Sequence, residues 1–229
     1  MNVNTPNLAL VSATADFGRG TGGALDVTVD TVLSTAKSYS SVIVRAGRKL
    51  SFDASAIAPT LIVLGDCTVE AGGAISANGQ STVFPFVSGS PVIPPLGFGG
   101  GGAGDVDDYQ HARASVVAST PWGIGVGGLN FPSGSCTGLG GGALLIACGG
   151  TLRNDGVISA DGIAGADAAL SNLNGDDGGA GGTVLVRLAR PATGTGTITA
   201  NGAVGGAGDG LGVAGATGAN GTVLTYSDT

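Results

Sequence analysis

The strongest constraint on what this chain can fold into is a twenty-residue pattern that occurs three times. TLIVLGDCTVEAGGAISANG (Thr60 to Gly79), ALLIACGGTLRNDGVISADG (Ala143 to Gly162) and TVLVRLARPATGTGTITANG (Thr183 to Gly202) align without a gap. Each opens on an apolar run, passes a turn rich in Gly or Thr, and closes on Ile-(Ser/Thr)-Ala-(Asn/Asp)-Gly. A partial copy, Thr222 to Tyr226, ends the chain, and Ser41 to Phe52 (SVIVRAGRKLSF) reads as a degenerate copy ahead of the first. Start to start, the last three copies lie 40 and 39 residues apart, a spacing that belongs to stacked repeats rather than to one irregular domain. Val63, Val69 and Ile75 fall at six-residue intervals, so each copy reads as short strands forming one coil of a parallel β-solenoid. The closing Asn-Gly or Asp-Gly predicts a positive-φ turn. No segment keeps a helical period; Ala164 to Leu170 comes nearest and is too short to stand alone.

Glycine supplies the second constraint. The chain has 46 glycines in 229 residues. Glycine loses the most backbone entropy on folding and adds nothing to a core, so order here needs a backbone reason. The spacing suggests one: Gly202, Gly205 and Gly208, then Gly212, Gly215, Gly218 and Gly221 stand three apart, as do Gly162 and Gly165, and Gly175, Gly178 and Gly181. Three is the period of the polyproline II helix, and glycine at every third place lets such helices pack with their backbones almost touching. The expected fold is therefore all-β: a short parallel β-solenoid of about five coils with glycine-rich polyproline/polyglycine II arms running out and back. The arm tips, with Asp176, Asp177 and Asp209 at or near them, are expected to be solvated.

Composition excludes several function classes. Charged residues make up 11 % and the net charge is −7, so the footprint of a nucleic-acid binder is missing. No apolar run approaches the ~20 residues of a membrane span, and MNVNTPNLAL lacks the marks of a secretory signal. Cys67, Cys136 and Cys148 are odd in number and not in metal spacing, so buried thiols are expected rather than a disulfide scaffold. Residues 1–24 read as a tether or assembly segment and 25–229 as the solenoid, with residues 80–142 as an insertion.

That insertion holds six of the ten aromatic residues, six of the nine prolines and the only histidine, His111, beside Asp105, Asp107 and Asp108. Long connections of this kind are commonly functional. Its chemistry points to contact rather than catalysis. GxGxxG matches arise by chance in so much glycine and no GK[ST] follows. GGAGDVDDY (Gly101 to Tyr109) and GGAGDGLGV (Gly205 to Val213) approach the calcium nonapeptide, but Asp105 and Asp209 stand one place early, so a solvated acidic loop is the expectation over a calcium site. A glycosidase needs two flanking acids, whereas Glu70 is the sole glutamate. His111 with Asp107 or Asp108 and Ser115 lacks a nucleophile elbow. Aromatic faces among Gly and Asp suit stacking on sugar rings or host surface groups, with core filling as the competing role of Phe84, Phe86 and Phe98. The candidate contact residues are Asp105, Asp107, Asp108, Tyr109, His111, Trp122 and Phe131, with Asn172, Asn174 and Asp209 at the tips; no catalytic residue, metal or cofactor is expected.

The order FGRGTGGALDVTVDTVLSTAKSYSSVIVRAG, then GGAISANG, then glycine-rich stretches alternating with GVISADG and TITANG, resembles the glycine-rich β-solenoid proteins of tailed bacteriophages, the tail-fibre adhesins and tail-tip proteins. That resemblance implies a non-enzymatic virion adhesin binding a host-cell glycan or protein, made in the host cytoplasm and released by lysis. The alternative it leaves is a structural virion protein (capsid decoration, head fibre or tail component) binding other virion subunits. Exposed solenoid ends suit a homo-oligomer, a trimer at a fibre tip, with neither nucleic acid nor membrane as partner.

Overall fold

The computed structural model describes residues 17–34, 37–53, 59–80, 138–169 and 173–228. The insertion residues Asp105, Asp107, Asp108, Tyr109, His111, Trp122 and Phe131, together with Asn172, lie outside them.

Fourteen short strands and no helix form among the described residues. They follow the apolar alternation that the sequence carries. The first coil is β1 (Ala24–Val27), β2 (Thr31–Leu33) and β3 (Lys37–Tyr39); the second is β4 (Ser41–Val44), β5 (Lys49–Phe52) and β6 (Thr60–Val63). The third is β7 (Cys67–Val69), β8 (Ala74–Ser76) and, across the insertion, β9 (Ala143–Cys148); the fourth is β10 (Leu152–Asn154), β11 (Val157–Ser159) and β12 (Thr183–Leu188). The last has β13 (Thr197–Thr199) and β14 (Thr222–Ser227), with Thr193 bridging to Arg153 in place of a first strand. The strands stack into three parallel sheets in the orders β1-β4-β7-β10, β13-β11-β8-β5-β2 and β14-β12-β9-β6-β3. This is the stacked parallel solenoid expected from the repeats.

Period-two patterning places one side of most strands inside. Val42 and Val44, Leu50 and Phe52, Leu61 and Val63, Cys67 and Val69, and Leu144, Ile146 and Cys148 all point into one continuous core. Stacking puts like on like, as in the column Leu50, Ile75, Ile158 and Ile198 of the second sheet. Cys67 and Cys148 are buried free thiols within this core, and burial pushes both thiol pKa values up. Asn154 replaces an aliphatic residue above Val69, and its amide is satisfied: Nδ2 donates to Thr197 O at 3.1 Å and Oδ1 accepts from Gly156 N at 3.2 Å.

The register corrects one expectation. The second and third copies stack without a gap, Ala143 on Thr183 and Val157 on Thr197 by way of β11. The first and second do not: Thr60 pairs with Leu145 and Cys67 with Leu152, whereas Ile75 pairs with Ile158. The corner from Val69 to Ala74 is two residues longer than that from Asn154 to Val157. A two-residue slip leaves every side chain on its own face, so the core accepts it where a one-residue slip would turn the strand inside out. A second correction concerns the Asn-Gly and Asp-Gly endings. Gly79 has φ of 64°, but Gly162 and Gly202 are not among the positive-φ glycines, because there the chain runs straight on into glycine-rich segments instead of turning.

Residues 17–22 run from the edge of β3 onto the outer face of the third sheet. Gly22 N donates to Ser38 O, Thr21 bridges to Tyr39, and the Arg187 guanidinium of β12 sits 5.4 Å from the Phe17 ring centroid. On another corner Asp26, Arg45 and Glu70 stack one per coil, with Arg45 bonded to Asp26 at 2.8 Å and to Glu70 at 3.0 Å. The Arg45 hydrogen bond and charge hold Asp26 below the usual carboxylate range; for Glu70 the Ala46 amide does most of this, with Arg45 second. Depressed folded pKa values stabilise the fold above the unfolded carboxylate range and lose that contribution as pH falls through the folded values. Asp26→Asn with Glu70→Gln should therefore flatten the acid limb of the stability profile below about pH 4, with little change in shape elsewhere, as read by urea midpoints across pH.

Candidate functional site

Beyond the solenoid, segments 160–169, 173–182, 200–209 and 211–221 connect the third sheet to the second, and their contacts are backbone to backbone. The 173–182 segment is central, and its residues Gly175 to Gly182 are buried. Gly175, Gly178 and Gly181 donate to Val213, Ala216 and Ala219 of one neighbour at 2.9–3.0 Å. One position along, Asp176, Gly179 and Gly182 donate to Ala166, Ile163 and Ala160 of another. Its carbonyls at Leu173, Asp176 and Gly179 accept from Asp209, Gly206 and Ala203. Each set steps by three residues, and successive amides point to different neighbours. At Gly178 a Cβ would fall on the carbonyl oxygen of Ala203, and at Gly206 on that of Ala166, which is why no other residue fits at these crossings.

Acidic and amide side chains serve this packing. Asp177 Oδ1 accepts from Ala216 N at 2.7 Å, Asp167 Oδ1 from Ala207 N at 2.7 Å, and Asn174 Oδ1 from Val213 N at 3.0 Å. The expectation that Asp176 and Asp177 sit solvated at a tip is corrected: both are buried, at 7 % and 4 % exposure. The Asp177 carboxylate is tolerated there because the Ala216 amide of the adjacent segment donates to it. The same arrangement forms a ladder at the root of the segments. Asn78 Oδ1 accepts from Asp161 N at 2.7 Å, and Asp161 in turn takes Asn201 N at 2.6 Å and Thr199 Oγ at 3.0 Å. The Ala-(Asn/Asp)-Gly that ends each repeat was legible as a turn signal, but its constant Asx, the residue before the closing glycine, is a ladder rung joining coil to coil. Asp161→Ala should cost about 1–2 kcal/mol in urea unfolding, whereas Asp161→Asn, which keeps an acceptor oxygen, should cost less than half of that.

The outer end of these segments, by contrast, is exposed. Asp209 to Gly212 form a tight turn closed by Gly212 N to Asp209 O at 2.9 Å, with Gly210 at φ 61°. Asp209 is exposed as expected, and beside it Leu211 is 90 % exposed, Val213 53 % and Leu173 36 %. Asn174 is half-buried and held by its bond to Val213 N, so it supports this end. The structure thus brings two of the candidate residues, Asn174 and Asp209, to one place. It adds Leu211 and Val213, which sequence reasoning passed over because an apolar residue in a glycine-rich stretch reads as core. Among the described residues no group of three or more His, Cys, Asp or Glu side chains is arranged to hold a metal ion. The outer end thus presents closely bonded backbone, a small apolar tip and a flanking carboxylate. No protein-family model, curated protein or solved structure matches this chain.

Proposed function

We propose that this chain is a non-enzymatic bacteriophage virion adhesin whose glycine-rich segments are out-and-back polyproline II arms that present contact residues to a host-cell surface receptor. The observation that carries the reading is the three-residue hydrogen-bond spacing that ties each segment to its neighbours as far out as the Asp209 turn. Three residues per turn, with amides pointing in three directions, is the geometry of a polyproline II helix that bonds to its neighbours instead of to itself. Such a bundle needs no side-chain core, so it leaves the tips free to vary while holding them still. Preorganisation of this kind lowers the entropy lost on binding. An exposed leucine beside a carboxylate then suits a glycan or protein surface that offers both an apolar patch and polar groups.

The test is binding of the purified full-length chain to cells of the host. Leu211→Asp combined with Asp209→Ala, or deletion of residues 84–131, should weaken binding by about tenfold or more, as loss of an interface anchor does. Amide exchange at Gly175, Gly178 and Gly181 should stay slow in both variants. Binding to cells that neither change alters, or binding only to purified particles stripped of the chain, would replace the adhesin with a structural virion protein.

A further inference from the structure

We infer that the last glycine-rich layer, segments 200–209 and 211–221, is an interface on which a second copy of this chain stacks face to face. In the layer beneath, Gly162, Gly165 and Ala168 donate to Asn201, Val204 and Ala207 of the last layer, and Gly175, Gly178 and Gly181 donate to Val213, Ala216 and Ala219. The carbonyls of Leu173, Asp176 and Gly179 accept from the same layer. The repeat offsets of 40 and 39 residues carry the donors onto Gly202, Gly205, Gly208, Ala214, Thr217 and Asn220. They carry the acceptors onto Gly212, Gly215 and Gly218. Counterparts in a stack of like units point the same way, so the last layer turns these rows outward. Gly202 N is capped by Asn220 Oδ1 at 2.9 Å. Among the described residues, the backbone amides of Gly205, Gly208, Ala214, Thr217 and Asn220 have no hydrogen-bond partner. The carbonyls of Gly212, Gly215 and Gly218 have none either.

The side chains of this layer suit a covered face better than a solvated one. Repeat stacks need a polar outer face on their terminal unit, yet the only charged residue from 200 to 221 is Asp209, at the outer turn. Asp167, Asn174 and Asp177, whose side chains receive amides of the last layer, have Ala207, Val213 and Ala216 as their own counterparts there. Val204 and Val213 are 64 % and 53 % exposed, and the last coil adds Val223, which stacks on fully buried Val184 yet is 40 % exposed. The occupant must therefore offer backbone donors and acceptors in glycine-rich rows together with small apolar side chains. This chain's own last layer offers both. Its two segments already pair in antiparallel fashion, Gly215, Gly218 and Gly221 donating to Gly206, Ala203 and Ala200. Across a twofold axis parallel to the segments, 200–209 of each copy meets 211–221 of the other in that same antiparallel sense. An isologous contact uses its face once, so the product is a dimer rather than the trimer that a fibre tip would suit.

Sedimentation equilibrium and residue-resolved hydrogen exchange on the full chain, run across protein concentration, test this. The chain should form a dimer in which the Gly205, Gly208, Ala214 and Thr217 amides gain protection as concentration rises, while Gly175, Gly178 and Gly181 stay slow throughout. Val204→Asp combined with Ala214→Asp puts like charges on both sides of the contact and should raise the dissociation constant by about a hundredfold. Thr217→Glu, a single change at an exposed position, should raise it by about tenfold. Slow exchange at Gly175, Gly178 and Gly181 in these variants shows that the layers remain folded. A monomer at every concentration, a trimer or open-ended polymer, or a dimer that the charged variants leave unchanged would overturn the proposal.

Discussion

Gly178→Ala should destabilise the protein by about 3 kcal/mol, at the upper end of what overpacking by one methyl group costs, although it removes no hydrophobic contact. The added Cβ would fall on the Ala203 carbonyl, which is backbone and cannot rotate away. Relief requires the 173–182 and 200–209 segments to part, and parting breaks the neighbouring bonds from Ala203 N to Gly179 O and from Gly206 N to Asp176 O. A comparison substitution separates this steric cost from the general preference for glycine. Gly210→Ala, in the exposed turn at φ 61°, should cost only about 1 kcal/mol, the usual penalty for a Cβ in the left-handed region. Urea unfolding followed with amide exchange at Gly175 and Gly181 checks both. If Gly178→Ala costs no more than Gly210→Ala, the close backbone packing is wrong.

Ile158→Ala should cost about 3–4 kcal/mol, because the side chain is fully buried between Ile75 below and Ile198 above and the column cannot collapse around the gap. Both neighbours are held in register by strand pairing, so relaxation into the cavity would need whole coils to shift. Ile198→Ala, in the last coil, where the side chain is only partly buried, should cost about half as much. Urea midpoints should move with unchanged slope if each coil remains packed. Equal costs at the two positions would mean that the end of the stack is as well covered as its middle.

These two effects belong to separate sources of order, and the sequence showed them unequally. The solenoid was readable from Ile75, Ile158 and Ile198 and from the apolar runs that precede them, because a strand with one buried face prints its period directly into the sequence. The two-residue shift between the first and second copies was hidden, since a shift by an even number preserves the pattern from which it would be read. Glycine at every third position was equally plain. What those glycines meet was not. The same spacing left Asp176 and Asp177 looking like tip residues, when they lie in the central, buried segment.

The candidate site was less legible. Asn174 and Asp209 were identified by composition alone, as polar residues beside a break in the glycine period. Leu211 was overlooked because side-chain type says nothing about exposure where backbone does the packing. The Asx ladder of Asn78, Asp161 and Asn201 carried a visible signal, the constant residue before each closing glycine, yet its partners are amides about 40 or 83 residues away. No local rule connects them.

By itself the sequence determined the strand period, the stacking of like side chains and the places where a side chain is forbidden, all of which are properties of a residue and its near neighbours. Only the tertiary structure decided which carbonyl each amide reaches and which acids are buried. Those depend on how coils of unequal corner length and segments of equal period come to lie side by side, and a backbone hydrogen bond carries no mark of its partner in the residue that makes it.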